Sequence, residues 1–233
     1  MRRSAALAAM AALAACARRR PEGRRSPASR GAPVHIVALG DSLALGTGAS
    51  APRNGFIFRA YLDVLAKHPG SRIDSYAIGG STAADVLRLQ VPRLAHVRAD
   101  IVVVCVGGND VVRHVDATRF AATYARLVAR VRVLQPHAAI VCCGVPDVGM
   151  SPLFTGFEAM AVAGLARSDD AAVRAAARRS GALFVDLFAA TAHARGNVNR
   201  FLSEDRFHPS DAGYRTLEAV LAPVLLRAAA RAT

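Results

Sequence analysis

Short, continuously apolar runs alternate with longer stretches of helical periodicity along the chain. Residues 34–39, 101–106, 138–143 and 182–187 are apolar at nearly every position, which predicts strands buried on both faces, and the more mixed run 72–77 reads as a further strand. Residues 56–67, 82–96, 116–134, 166–179 and 211–230 carry apolar side chains at helical spacing. The punctuation agrees. Gly40, Gly79-Gly80 and Gly107-Gly108 follow strands, while Pro69-Gly70, Pro136 and Gly181 stop helices. Pro92 should bend or break the second helix, and Pro223 should kink the last. Strictly alternating strands and helices predict an α/β fold, a three-layer doubly wound sandwich with a five-stranded parallel sheet. Residues 146–164 show little regular pattern and are expected to form a loop or lid. No internal repeat is visible.

Composition narrows this picture. A chain of 233 residues suffices for one core, and 53% hydrophobic content excludes a disordered protein. With no tryptophan and 6% aromatics, that core must be built mainly from Ala, Val and Leu. The formal charge of +13 first suggests a polyanionic partner. However, residues 1–32 hold eight Arg and one Glu, a net +7, which leaves +6 spread over the other 201 residues. There is no basic helical stripe and no aromatic–basic interleaving, so nucleic acid is not an expected partner.

The concentrated charge belongs to a targeting pattern. Arg2 and Arg3 precede an Ala-rich apolar run ending near Ala15, too short to span a bilayer but of signal-peptide length. Leu13-Ala14-Ala15-Cys16 resembles a bacterial lipobox, which implies lipidation of Cys16; ordinary cleavage after Ala17 is the alternative. Residues 1–16 are thus expected to be a lipoprotein signal peptide with its cysteine, 17–33 a flexible Arg/Pro-rich tether, and 34–233 the folded domain. The expected location is the cell envelope, on the periplasmic side, with a membrane contact through the lipid on Cys16. Cys105, Cys142 and Cys143 lie in predicted strands and read as small core residues rather than a disulfide framework or metal site.

The polar residues with chemical potential stand at the strand ends. Asp205-Arg206-Phe207-His208-Pro209 places a carboxylate three residues before an imidazole, the spacing a serine hydrolase can use to orient its base. A loop histidine beside a solvated Asp reads the same way. Val37 to Leu43 runs a buried strand into Gly40-Asp41-Ser42, which would expose the Ser42 hydroxyl above the sheet; a helix cap would look similar. Gly79-Gly80 and Gly107-Gly108-Asn109-Asp110 could supply backbone N–H groups and an amide to a developing oxyanion, or could simply be turns. What weighs most is that all four groups fall at one edge of one inferred sheet.

Gly40-Asp41-Ser42-Leu43, the Gly80 segment, Gly107-Gly108-Asn109-Asp110 and Asp205-x-x-His208-Pro209 together resemble the successive blocks of the SGNH (GDSL) hydrolase family, in its order and over about residues 34–225. That resemblance implies a flavodoxin-like fold and ester hydrolysis without metal or cofactor. It implies Ser42 as nucleophile, His208 as base and Asp205 as the group orienting it. The Ser42 and Gly80 N–H groups and the Asn109 amide would form the oxyanion hole, with Asp41 and Gly108 in supporting places. The sequence departs from the family at Gly79, where a Ser is common.

Rival readings follow from the same residues. Gly79-Gly80-Ser81-Thr82-Ala83 is similar to a loosened G-x-S-x-G elbow, with Ser81 as nucleophile. Gly46-Thr47-Gly48-Ala49-Ser50-Ala51 fits a dinucleotide fingerprint but begins six residues after the strand. Acyl transfer to, or deacetylation of, a surface polysaccharide would use the same triad, and a lipid-anchored binding domain without catalysis is a further alternative. Val111, Val112, Val148, Met150, Leu153, Phe154 and Phe157 are candidates to line an acyl site or to pack a lid. Small esters and acylated lipids or carbohydrates are the expected substrates.

Overall fold

The structure is a computed structural model that describes residues 31–232. The predicted signal peptide, Cys16 and nearly all of the tether lie outside the described residues. The strands are β1 His35–Gly40, β2 Arg72–Ser75, β3 Ile101–Cys105, β4 Ala139–Cys143 and β5 Leu183–Val185. All pair in parallel, in the order β2-β1-β3-β4-β5. The expected α/β sandwich is therefore the architecture found.

Alternation along the strands sorts their side chains into two cores. Ile36, Ala38, Ile101, Val103, Val141 and Val185 face one side. There they pack against α2 (Phe56–Lys67, after the short α1, Ser42–Leu45) and the C-terminal helix Asp211–Ala232. Val37, Leu39, Val102, Val104, Ile140 and Cys142 face the other, against the helices Ala117–Leu134 and Gly156–Ser180. Burying each Val or Leu contributes about 1.5–3 kcal/mol, so both layers clamp the sheet. Cys105 and Cys143 are register partners on the first face, and all three strand cysteines are buried and free.

Two expectations need correction. Residues 82–96 do not form one α-helix: a single turn, Ala83–Asp85, passes into a π-helical turn, Val86–Gln90, and then a 3₁₀ segment, Val91–His96. Pro92 has no N–H for an α-helical bond, and the helix changes pitch just before it. Nor is 146–164 a loop throughout, because the long helix begins at Gly156. Its first turns leave Phe157 87% and Met160 62% exposed, so the apolar positions do not follow one buried stripe and periodicity hides the start. The closing helix runs on through Pro223. Short helices at Leu187–Ala192 and Val198–Phe201 were not expected, being too brief to show a period.

The register aligns Gly40, Cys105 and Cys143 in one row. The segments that follow, beginning at Asp41, Val106 and Gly144, therefore leave the sheet side by side. This C-terminal edge is where a doubly wound sheet offers a crevice.

Candidate active site

The turn after β1 is forced by close packing. A β-carbon on Gly40 (φ +154°) would lie 2.0 Å from the Cys105 carbonyl oxygen, so only glycine fits at the strand end. Asp41 then caps α1, its carboxylate accepting the Leu43 N–H at 2.9 Å. Ser42 is the first residue of that helix, so its own N–H has no intrahelical acceptor.

The base arrives from the far end of the chain. Leu202 and Pro209 form an antiparallel bridge, and the loop between them turns at Arg206 with φ +60°. Asp205 organises this loop with both oxygens. Oδ1 accepts the N–H groups of Phe207 and His208, each at 2.9 Å, and the Ser203 hydroxyl at 2.8 Å. Oδ2 lies 2.6 Å from His208 Nδ1. His208 Nε2 in turn lies 2.8 Å from Ser42 Oγ. With Nδ1 protonated towards Asp205, Nε2 is free to accept the serine proton. Desolvation pushes the Asp205 carboxyl up. The hydrogen bonds from His208, Phe207 and Ser203 outweigh this and hold it well below the usual carboxylate range.

A loop that the sequence offered as a dinucleotide fingerprint instead docks this C-terminal segment. A β-carbon on Gly48 would lie 2.8 Å from His208 Cβ, from the Pro209 carbonyl oxygen and from Ser203 Oγ, so its absence lets the histidine loop come close. The Ser50 N–H and hydroxyl both donate to Asp211, and Tyr214 donates to the Thr47 carbonyl at 2.7 Å.

The remaining predicted residues gather on the same rim. Asn109, in the short helix Gly108–Val112, donates from Nδ2 to the Ser81 carbonyl at 3.1 Å and to Asp41 at 3.3 Å. Among the described residues, nothing accepts the Gly80 N–H, while the Gly80 carbonyl is held by Arg113 at 2.9 Å. Arg113 escaped the sequence reading; an arginine in a loop carries no signal of its target. Ser81 is not brought to a base. It is 4% exposed, and its hydroxyl accepts from Gln90 at 3.3 Å.

Ser42, Asn109 and His208 line one open pocket. Its walls are mostly apolar: Leu43, Val106, Val148, Met150, Leu202 and Phe207. Gly108 also lines it, with open space where a side chain would be. Of the seven residues proposed for an acyl site, Val148 and Met150 line it, whereas Leu153 and Phe157 are exposed. Asp147 is a further lining residue without a sequence signal. Its carboxylate pairs with Arg195 Nε at 2.7 Å, and its N–H donates to Thr191. Among the described residues no group of three or more His, Cys, Asp or Glu side chains is placed to hold a metal ion.

Matching this geometry, the model of the GDSL-like Lipase/Acylhydrolase family aligns with residues 38–216. The chain belongs to that family. Its members are hydrolases that act on esters, and the GDSL stretch falls at the β1 turn described above. Among solved structures, TesA superposes with a TM-score of 0.67 at 20% identity, covering 83% of this chain and 99% of its own. An acetyl xylan esterase variant from Geobacillus stearothermophilus gives 0.65 at 22%, covering 85% and 95%. The psychrotrophic esterase EstA from Pseudoalteromonas sp. gives 0.65 at 14%, covering 83% and 97%. At these identities the likeness is one of fold. No curated protein matches the chain by sequence.

Buried carboxyls at the site and beyond it set the GDSL-family domain's response to pH. Desolvation raises Asp41 and Asp169 to about 7, and Asp110 and Asp170 to about 6, from an ordinary 3.8. The folded state therefore keeps protons that the unfolded chain loses, so stability falls as pH rises from the ordinary carboxyl range to about 7. Asp205 acts in the opposite sense: its contribution is present above the unfolded value and is lost as pH falls towards its depressed one. The thermal midpoint should be about 3 °C or more higher at pH ~5 than at pH ~8. Calorimetry across that range checks this; a midpoint that rises towards pH ~8 contradicts it.

Proposed function

We propose that the protein is a carboxylic ester hydrolase that works through an acyl-enzyme on Ser42. The observation that carries the reading is the relay Ser42 Oγ, His208 Nε2, His208 Nδ1, Asp205 Oδ2, with consecutive contacts of 2.8 and 2.6 Å. His208 takes the serine proton as Oγ attacks the ester carbonyl, then returns it to the departing alcohol oxygen. Water, deprotonated by His208, attacks the acyl-enzyme; the acid leaves and Ser42 regains its proton. The carbonyl oxygen carries the developing charge. The N–H groups of Ser42 and Gly80 and the Asn109 amide are its donors. One Nδ2 hydrogen of Asn109 stays on the Ser81 carbonyl, and the one that reaches Asp41 at 3.3 Å in the free enzyme turns to the oxyanion. Asn109→Ala should lower kcat about 10²–10³-fold, the cost of one oxyanion donor, with a smaller change in KM. Steady-state kinetics on one ester measures both.

The apolar pocket suits the acyl group, and the acyl chain length is the property to measure. Hydrolysis of p-nitrophenyl esters from acetate to palmitate should give turnover with an optimum set by the pocket. No turnover on any ester contradicts the reading. A profile confined to acetate favours deacetylation, the activity named in the acetyl xylan esterase neighbour.

The lipobox-like Cys16 supports an exported protein held by a lipid on that residue, with 17–33 as tether. Among the described residues no helix is long and apolar enough to cross a membrane. Replacing Cys16 with Ser should move the protein from the membrane to the soluble fraction of fractionated cells. Unchanged membrane association contradicts the anchor.

A further inference from the structure

The turn that carries Ser42 and the loop that carries Gly80 belong to different elements, yet the proposed oxyanion donors must converge on one atom. One side chain joins them. Gln90 is fully buried, and its carboxamide pairs with both peptide groups of Gly40: Oε1 accepts the Gly40 N–H at 2.8 Å, and Nε2 donates to the Gly40 carbonyl at 2.7 Å. The second Nε2 hydrogen reaches Ser81 Oγ at 3.3 Å. Gly40 lies two residues before Ser42, and Ser81 follows Gly80 directly. The Ser81 carbonyl in turn accepts from Asn109 at 3.1 Å.

Local structure explains how a glutamine comes to sit there. β2 ends at Ser75, so beyond it β1 has no regular strand neighbour on that side. The Ile78 N–H still reaches the Gly40 carbonyl at 3.1 Å, but the Gly40 N–H needs another acceptor. A carboxamide has the donor and acceptor of a peptide group and completes the missing rung. The π-turn Val86–Gln90, closed by the Val91 N–H on the Val86 carbonyl, adds one residue to the helical turn that ends at Gln90.

We propose that Gln90 is a positioning residue for the hydrolase: it holds the Ser42 turn and the Gly80 loop at the separation that lets their N–H groups and Asn109 act on one oxygen. This rests on the hydrolase reading above. The chain supplies its own control. Gln135 is also buried, accepting the Ala99 N–H and donating to the Leu94 and Val97 carbonyls, but it lies at the opposite edge of the sheet, where the chain enters β3.

The test compares Gln90→Met, Gln90→Glu and Gln135→Met with the parent protein on one p-nitrophenyl ester. Gln90→Met should lose about 10–100-fold in kcat with KM within about threefold, as expected for catalytic groups displaced by a fraction of an ångström to one ångström. Gln135→Met should lose thermal stability with kcat within about twofold. Gln90→Glu covers the case in which Gln90→Met does not fold. A protonated carboxylic acid reproduces the donor and acceptor facing Gly40, while a carboxylate sets an oxygen against the Gly40 carbonyl. Its kcat relative to the parent should therefore fall about tenfold or more as pH rises from ~6 to ~9. Taking the ratio removes the pH dependence that the two proteins have in common. Gln90→Met with parent kcat, or a Gln90→Glu ratio that is flat with pH, overturns the inference alone. A parent protein that turns over no ester removes the hydrolase reading and this inference with it.

Discussion

Ser42→Ala and His208→Ala are each expected to lower kcat on an activated ester by about 10⁴–10⁶-fold while the domain stays folded. The chemistry and the packing point the same way. The Ser42 hydroxyl is half-buried and bonds to His208 Nε2, so its loss empties no core site. The imidazole sits at the pocket wall, edge-on to Phe207, while its backbone carbonyl, bonded to the Ser203 N–H, is unaffected by substitution. Because nucleophile and base act as one unit, the double variant should be scarcely slower than either single one. Rate measurements paired with circular dichroism test this. A loss of about tenfold or less in Ser42→Ala, with the fold intact, contradicts it.

Asp205→Asn is expected to cost about 10⁴-fold in kcat. The amide can keep one oxygen for the Phe207 and His208 N–H groups that Oδ1 now accepts, so the loop should survive. What is lost is the charged acceptor at 2.6 Å from Nδ1, which selects the tautomer with Nε2 free and stabilises the imidazolium formed during attack. Asp205→Ala should add disorder of the loop to the same chemical loss. The two variants separate on thermal melting: Asp205→Asn should stay close to the parent midpoint and Asp205→Ala should fall below it. Parent-like turnover in Asp205→Asn would show that His208 needs no carboxylate.

β1, β3 and β4 were readable to within a residue or so because burial on both faces leaves them with no polar alternation to obscure them. The site was readable for a related reason. Ser42, Asn109 and His208 each follow or precede residues whose chemistry marks a turn, and the parallel topology carries the first two turns to one edge. Other features had no local signature. Gln90 reads as one more polar residue of an amphipathic helix until the π-turn is seen to turn it towards Gly40. Gly48 reads in the sequence as part of a flexible loop because its role depends on a contact with His208, 160 positions later. The start of the helix at Gly156 was hidden because its exposed side chains are apolar, so no contrast in polarity marked the element. Local chemistry was legible in the sequence, whereas contacts between distant segments were not.

The central claim is that Ser42 forms the covalent intermediate, and covalent labelling tests it most directly. A p-nitrophenyl alkylphosphonate presents a phosphorus centre to the nucleophile and releases p-nitrophenol when Oγ attacks, leaving a stable ester on the enzyme. Intact mass should show one adduct per chain, and peptide mapping should place it on Ser42, with none in Ser42→Ala and full labelling in Ser81→Ala. An adduct on Ser81, or none on a preparation that hydrolyses esters, would contradict the account.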